Sequence, residues 1–155
     1  MKISKWLLSA TILVSFTVAS TAEAPRDDTK DEMKKLEGMW QVTKFIDHSE
    51  KAAPADEIAH FTFEFKGDRL TMRKAKDDSG KEMKFTLDAS RTPKAMDIQM
   101  GGSHVSEGIY KLDGDQLTIC IVAGTRNGKA AARPSEFKAS NRDIYSMFIL
   151  KKVKK

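Results

Sequence analysis

Three histidines, one cysteine and a scatter of acids are the residues that could do chemistry in this 155-residue chain. His48, His60 and His104 stand far apart, with no His-x-His or His-x-x-x-His spacing, so they do not present a zinc site. Cys120 is the only cysteine, which excludes an intrachain disulfide and leaves a thiol that needs an adjacent base to be a nucleophile. Glu64 and Glu107 lie on strand-like segments without a second carboxylate placed to share acid and base work. Gly101-Gly102-Ser103 is too short for a phosphate cradle and reads as a hairpin turn, and no Gly-x-Ser-x-Gly or His-Glu-x-x-His occurs. Binding is the chemistry that remains. The sequence points away from an enzyme and calls for no cofactor or metal.

The elements that must carry any binding site begin after an export signal. Lys2 and Lys5 precede an apolar run from Trp6 to Val18, which passes into the small residues Ala19-Ser20-Thr21-Ala22-Glu23-Ala24. That order is the pattern of a secretory signal over residues 1–22. Cleavage fits after Ala22 or Ala24, and Pro25 disfavours the second site because its fixed ring hinders an extended substrate strand. The run is shorter than the roughly 20 apolar residues a spanning helix needs, so no membrane span is expected after cleavage and the product is expected to be periplasmic or secreted. Losing Lys2 and Lys5, with no acid, takes the formal net charge from +5 to about +3. Acids and bases are interleaved throughout, which argues against nucleic acid as a partner. Lys151, Lys152, Lys154 and Lys155 read as a solvated terminus. Residues 23–35 read as a charged flexible leader whose last turn suits a helix, and residues 36–155 as one domain, expected to be a monomer held by its core alone.

Period-two alternation predicts an all-β domain. Trp40 to Ile46 opens the sheet, and Ala53-Pro54-Ala55-Asp56-Glu57-Ile58 follows as one short helix that covers a barrel end. Phe61, Phe63 and Phe65 alternate with polar residues before Gly67-Asp68, after which Leu70 and Met72 alternate in turn. A two-residue turn there pairs Lys66 with Arg69, Phe65 with Leu70 and Phe63 with Met72 on one apolar face. Thr62–Arg73 and Glu64–Thr71 then meet on the polar face, so the register checks itself. Met83, Phe85 and Leu87 form the next strand, and Met96, Ile98 and Met100 the one after Thr92-Pro93. Asp113-Gly114 reads as a type I′ turn that pairs Tyr110 with Leu117, Gly108 with Ile119 and Cys120 with Glu107. Residues 124–140 form a long loop, and Ile144 to Leu150 closes the chain as a strand apolar on both faces. About eight strands in sequential hairpins argue for an antiparallel up-and-down barrel or a split-barrel sandwich; the barrel is preferred, at a size where side chains fill the interior or one small ligand occupies it.

Five motifs occur in order: Leu36-Glu37-Gly38-Met39-Trp40, Pro54-Ala55-Asp56-Glu57-Ile58, Phe65-Lys66-Gly67-Asp68-Arg69-Leu70, Gly108-Ile109-Tyr110-Lys111-Leu112-Asp113-Gly114-Asp115 and Arg133-Pro134-Ser135-Glu136-Phe137. Together they resemble a small, secreted lipocalin-like domain expanded in planctomycete bacteria, over residues 36 to about 152. The resemblance implies a lipocalin-like barrel and supplies no activity. Gly38-x-Trp40 is also similar to the entry of true lipocalins. That likeness implies structural roles for Gly38 and Trp40, with the Trp closing one barrel end against a basic side chain; Arg133 and Arg142 are the candidates. A Thr-Asp-Tyr type segment is missing, so a retinoid- or haem-carrying role is not implied.

Two functions fit these readings. The first is an exported binding protein that takes a small apolar ligand against Phe63, Phe65, Met72, Phe85, Met96 and Tyr110, with the Tyr110 hydroxyl as the orienting polar group. Flexible thioethers such as Met72, Met83, Met96 and Met100 adapt to irregular space or to varied ligands. The second is a cell-envelope interaction module with a filled barrel. Arg133-Pro134-Ser135-Glu136-Phe137 serves either reading, as a loop pinned to the barrel rim or as a gate at the open end.

Overall fold

A computed structural model describes residues 27–76, 78–126 and 128–154. The signal segment and its cleavage sites lie outside these residues.

Eight strands close into an antiparallel barrel in the order β1-β10-β7-β6-β5-β4-β3-β2. They are β1 (Gly38–Ile46), β2 (Thr62–Lys66), β3 (Arg69–Arg73), β4 (Lys81–Asp88), β5 (Ala95–Gly101), β6 (His104–Asp113), β7 (Gln116–Val122) and β10 (Tyr145–Lys152). A two-stranded ribbon, β8 (Thr125–Arg126) and β9 (Lys129–Ala130), interrupts the long loop expected between β7 and β10. Every barrel strand from β1 to β7 pairs with its neighbours in sequence, and β10 completes the ring between β7 and β1. Closure leaves the barrel sheet without an unpaired edge. Short connections and alternating apolar residues leave the chain little else to form.

The β2–β3 hairpin has the register its side chains predict, with Phe65 opposite Leu70, Phe63 opposite Met72 and Lys66 opposite Arg69. The β6–β7 hairpin differs. Asp113 pairs with Gln116, so the turn residues are Gly114 and Asp115, and Tyr110 faces Ile119 rather than Leu117. Gly114 takes φ +58°, as Gly67 takes φ +55° at the equivalent first turn position. A primed turn with glycine first accepts that backbone at no steric cost. Both strands moved by one residue, which keeps every side chain on its predicted face. Gly108 therefore opposes Ile121, and Cys120 opposes Ile109 rather than Glu107. A Cβ on Gly108 would lie 2.6 Å from the Ile121 side chain and 2.7 Å from the Cys120 carbonyl, so this strand crossing admits only glycine.

The helix α1 (Asp27–Leu36) corrects the flexible-leader expectation over most of its length. Thr29, Glu32, Met33 and Leu36 recur at helical spacing and turn one face onto the barrel end. The short helix α2 (Ala55–Ile58) rests beside β1, where Gln41 Nε2 donates to the carbonyls of Ile58 and Phe61 at 3.0 and 3.1 Å.

Candidate functional site

The barrel has two unlike ends. At the α1 end, Trp40 is fully buried and its indole N–H donates to the Leu36 carbonyl at 2.7 Å. Lys152 Nζ stands 5.1 Å from the Trp40 ring centroid and donates to the Lys35 carbonyl at 2.7 Å. Lys152 is thus the basic partner that the Gly38-x-Trp40 likeness implies, in place of Arg133 or Arg142. Its position on β10, in register with Trp40, supplies what neither arginine can. Gly38 sits at φ +112° where β1 leaves α1, a backbone conformation that a side chain would strain.

Glu32 locks the same end. Its carboxylate meets Lys94 at 3.0 Å and Lys35 at 3.1 Å, and accepts the Tyr110 hydroxyl at 3.3 Å. Burial pushes the Glu32 carboxyl up, but the bonds and charges of Lys94 and Lys35 outweigh it and hold the group below its ordinary value. Burial, followed by the Glu32 charge and hydrogen bond, pushes the Tyr110 phenol well above its usual range. Tyr110 therefore spends its polar atom on the helix that closes the barrel.

Arg133 lies on the outer wall. Its guanidinium forks onto Asp97, donates to the Gly108 carbonyl at 2.7 Å and approaches Glu107 at 3.5 Å. The segment is pinned to the side of β5–β6, with Pro134 buried beneath it. Cys120 is buried with its sulfur 3.4 Å from the Lys138 carbonyl, and burial pushes its thiol up, which suits a packed side chain rather than a nucleophile.

Of the residues expected to line an interior, Phe63, Phe65, Phe85, Met96 and Tyr110 are each no more than 2% exposed. They interdigitate in one core with Trp40, Leu70, Ile98, Leu117 and Ile119, because eight strands enclose a lumen that such side chains fill. Ring centroids 5.2 Å apart for Phe65–Phe85 and 5.3 Å apart for Phe63–Phe148 mark edge-to-face and tilted contacts through that fill.

Above this fill, at the end away from α1, the packing stops short. A cavity of about 400 Å³ opens there between Phe45, Phe61, Met72, Met100, Ile121 and Phe148, with Lys74, His104, Val122, Ala123 and Ser146 around its lip. Phe45 stacks on Phe148 at 4.6 Å, and Phe61 stands edge-on to Phe148 at 5.9 Å, so the floor is a rigid aromatic cluster. Met72 and Met100, both half-buried, supply adaptable walls. Of the six ligand-site candidates from the sequence, Met72 alone reaches this cup. Phe45, Phe61 and Phe148 are missing from the sequence-based candidates, although Phe61 is one period-two step beyond Phe63 and Phe65, and Phe148 alternates with Leu150.

Among the described residues, no group of three or more His, Cys, Asp or Glu is gathered to hold a metal, and no helix is long and apolar enough to cross a membrane. No protein-family model, no curated protein and no solved structure matches this chain.

Proposed function

We propose that this is an exported, non-enzymatic, lipocalin-like binding protein that takes the apolar part of a small molecule into the cup at its barrel mouth. One observation carries the reading: an aromatic and thioether hollow of about 400 Å³ at the open end of an otherwise filled barrel. That volume lies in the range of small-molecule sites, which are concave, mostly apolar and largely pre-formed. The N-terminal export pattern supports a periplasmic or secreted setting, where a carrier meets ligands from outside the cell.

The test is titration calorimetry with fatty acids, isoprenoids and quinones against the mature protein. At least one class should bind with a Kd below about 100 μM. Ala123 is exposed at the lip, so Ala123→Trp should fill the cup without touching the core and abolish that binding. Undiminished binding to Ala123→Trp would place the ligand elsewhere.

A second reading, the interaction module with a filled barrel, draws on a different feature. Met39 and Val153 are exposed side by side at the α1 end, joined by a 2.8 Å backbone bond from Val153 N to the Met39 carbonyl. They line a groove with Gly38, Lys152 and Lys154. This reading gains if the ligand panel is silent and Met39→Lys removes a cross-linked envelope partner.

A further inference from the structure

The inward-facing positions of three barrel strands all end, at the mouth, in a basic side chain. On β3 the inward series Leu70, Met72 continues to Lys74 just past the strand end, and Lys74 Nζ stands 5.7 Å from the Phe61 ring centroid. On β4 the series Leu87, Phe85, Met83 begins with Lys81, which pairs with Met72 in the β3–β4 register. Lys81 Nζ donates to the Met100 carbonyl at 2.8 Å, which anchors it over the rim. On β6 the inward series starts at His104, which lines the cup directly. No Asp or Glu is among the described lining residues.

Two lysines and a histidine N–H donor above an apolar floor have a chemical meaning. A purely apolar ligand gains nothing from Lys74, Lys81 and His104, and would leave their hydration to be disturbed at the lip. An anion attached to an apolar tail satisfies both layers: the tail covers the Phe45–Phe61–Phe148 floor and the head accepts charge-assisted hydrogen bonds at the rim. We infer that the ligand of the mouth cup is an amphipathic anion, a carboxylate on a hydrocarbon chain, whose head is held by Lys74 and Lys81 with His104 opposite. This inference rests on the cup being the binding site and adds the chemical class of its occupant.

Three probes with one tail separate the two claims: decanoate, decan-1-ol and decyltrimethylammonium, each kept below the concentration at which it self-associates, titrated at neutral pH and low salt. Decanoate should bind about tenfold or more tightly than decan-1-ol, the step expected of one good hydrogen bond to a charged group, and the ammonium probe more weakly still. Lys74→Gln with Lys81→Gln should bring decanoate down to the affinity of decan-1-ol and leave decan-1-ol unchanged. Both side chains are exposed, so the doubly substituted protein keeps its core. Raised salt should weaken decanoate alone. Equal binding of decanoate and decan-1-ol, or a double variant that keeps the difference, overturns the anion inference while the cup stands. Binding of none of the three overturns both.

Discussion

Trp40 shows how one residue can be structural when its type invites a functional reading. Its ring is buried under α1, its N–H is spent on the Leu36 carbonyl, and Lys152 covers its outer face. Truncating a large buried aromatic typically removes about 3–5 kcal/mol, through lost transfer energy and the cavity left behind. Trp40→Ala should therefore lower unfolding stability by that amount in a denaturant titration, while Lys152→Met, which gives up a partly exposed cation–π contact, should cost no more than about 1 kcal/mol. A loss below about 1 kcal/mol for Trp40→Ala would remove it from the closing role. Trp40 was legible because Gly-x-Trp at the head of a strand is a compact pattern. Its basic partner was not, since the partner is chosen by the register between β1 and β10, over a hundred residues apart.

At the scale of elements, α1 carries the largest difference between sequence and structure. Its ten residues include seven that are charged, and that density reads as solvated chain. The buried stripe of Thr29, Glu32, Met33 and Leu36 contains only two apolar residues, so periodicity alone gives a weak signal. What makes the stripe burial-competent is Glu32, whose charge is answered by Lys94 and Lys35 and whose Oε2, shared with Lys94, accepts the Tyr110 hydroxyl. This has a pH consequence with a definite sign. The folded-state value of Glu32 lies below its ordinary value, so the group stabilises the docked helix above about pH 4.3, its unfolded value. That contribution is lost as pH falls through the lower folded value. Hydrogen exchange over residues 27–36 should show protection declining in that acid window. Glu32→Gln should be less protected at neutral pH and lack this part of the decline. Equal pH profiles for the two proteins would mean that the ion pairs do not hold the helix.

For the whole molecule, the proposed export and the proposed ligand site set a division of labour between two barrel ends. The α1 end is sealed by Trp40, Glu32 and Lys152, and the opposite mouth keeps its aromatic cup open. The basic start, short apolar run and small-residue exit predict a mature N-terminus at Glu23 or Pro25. Intact-mass measurement of protein taken from the native envelope should find one of these two species. A mature form that retains Met1 would remove the export claim. Cleavage at either site leaves α1 intact, so the mature chain keeps the helix that closes the barrel.

The strands, their order of faces and the all-β class were determined by the sequence alone, because a period of two is a local property of the chain. Phe61, Phe63 and Phe65 need no distant residue to show which side of β2 is apolar. The β2–β3 register was equally local, fixed by a turn of two residues and a face that must match. The β6–β7 register escaped by one residue on each strand, since Asp113-Gly114 and Gly114-Asp115 are both credible turns and both keep the faces correct. Whether the interior was open or filled was decided only by the tertiary structure. That outcome depends on how inward side chains from eight strands share one lumen, a sum over volumes that no single strand contains. The same closure moved the candidate site outward, from Phe63, Phe65, Phe85, Met96 and Tyr110 to the mouth, where Phe45, Phe61 and Phe148 come together from three separate stretches of chain.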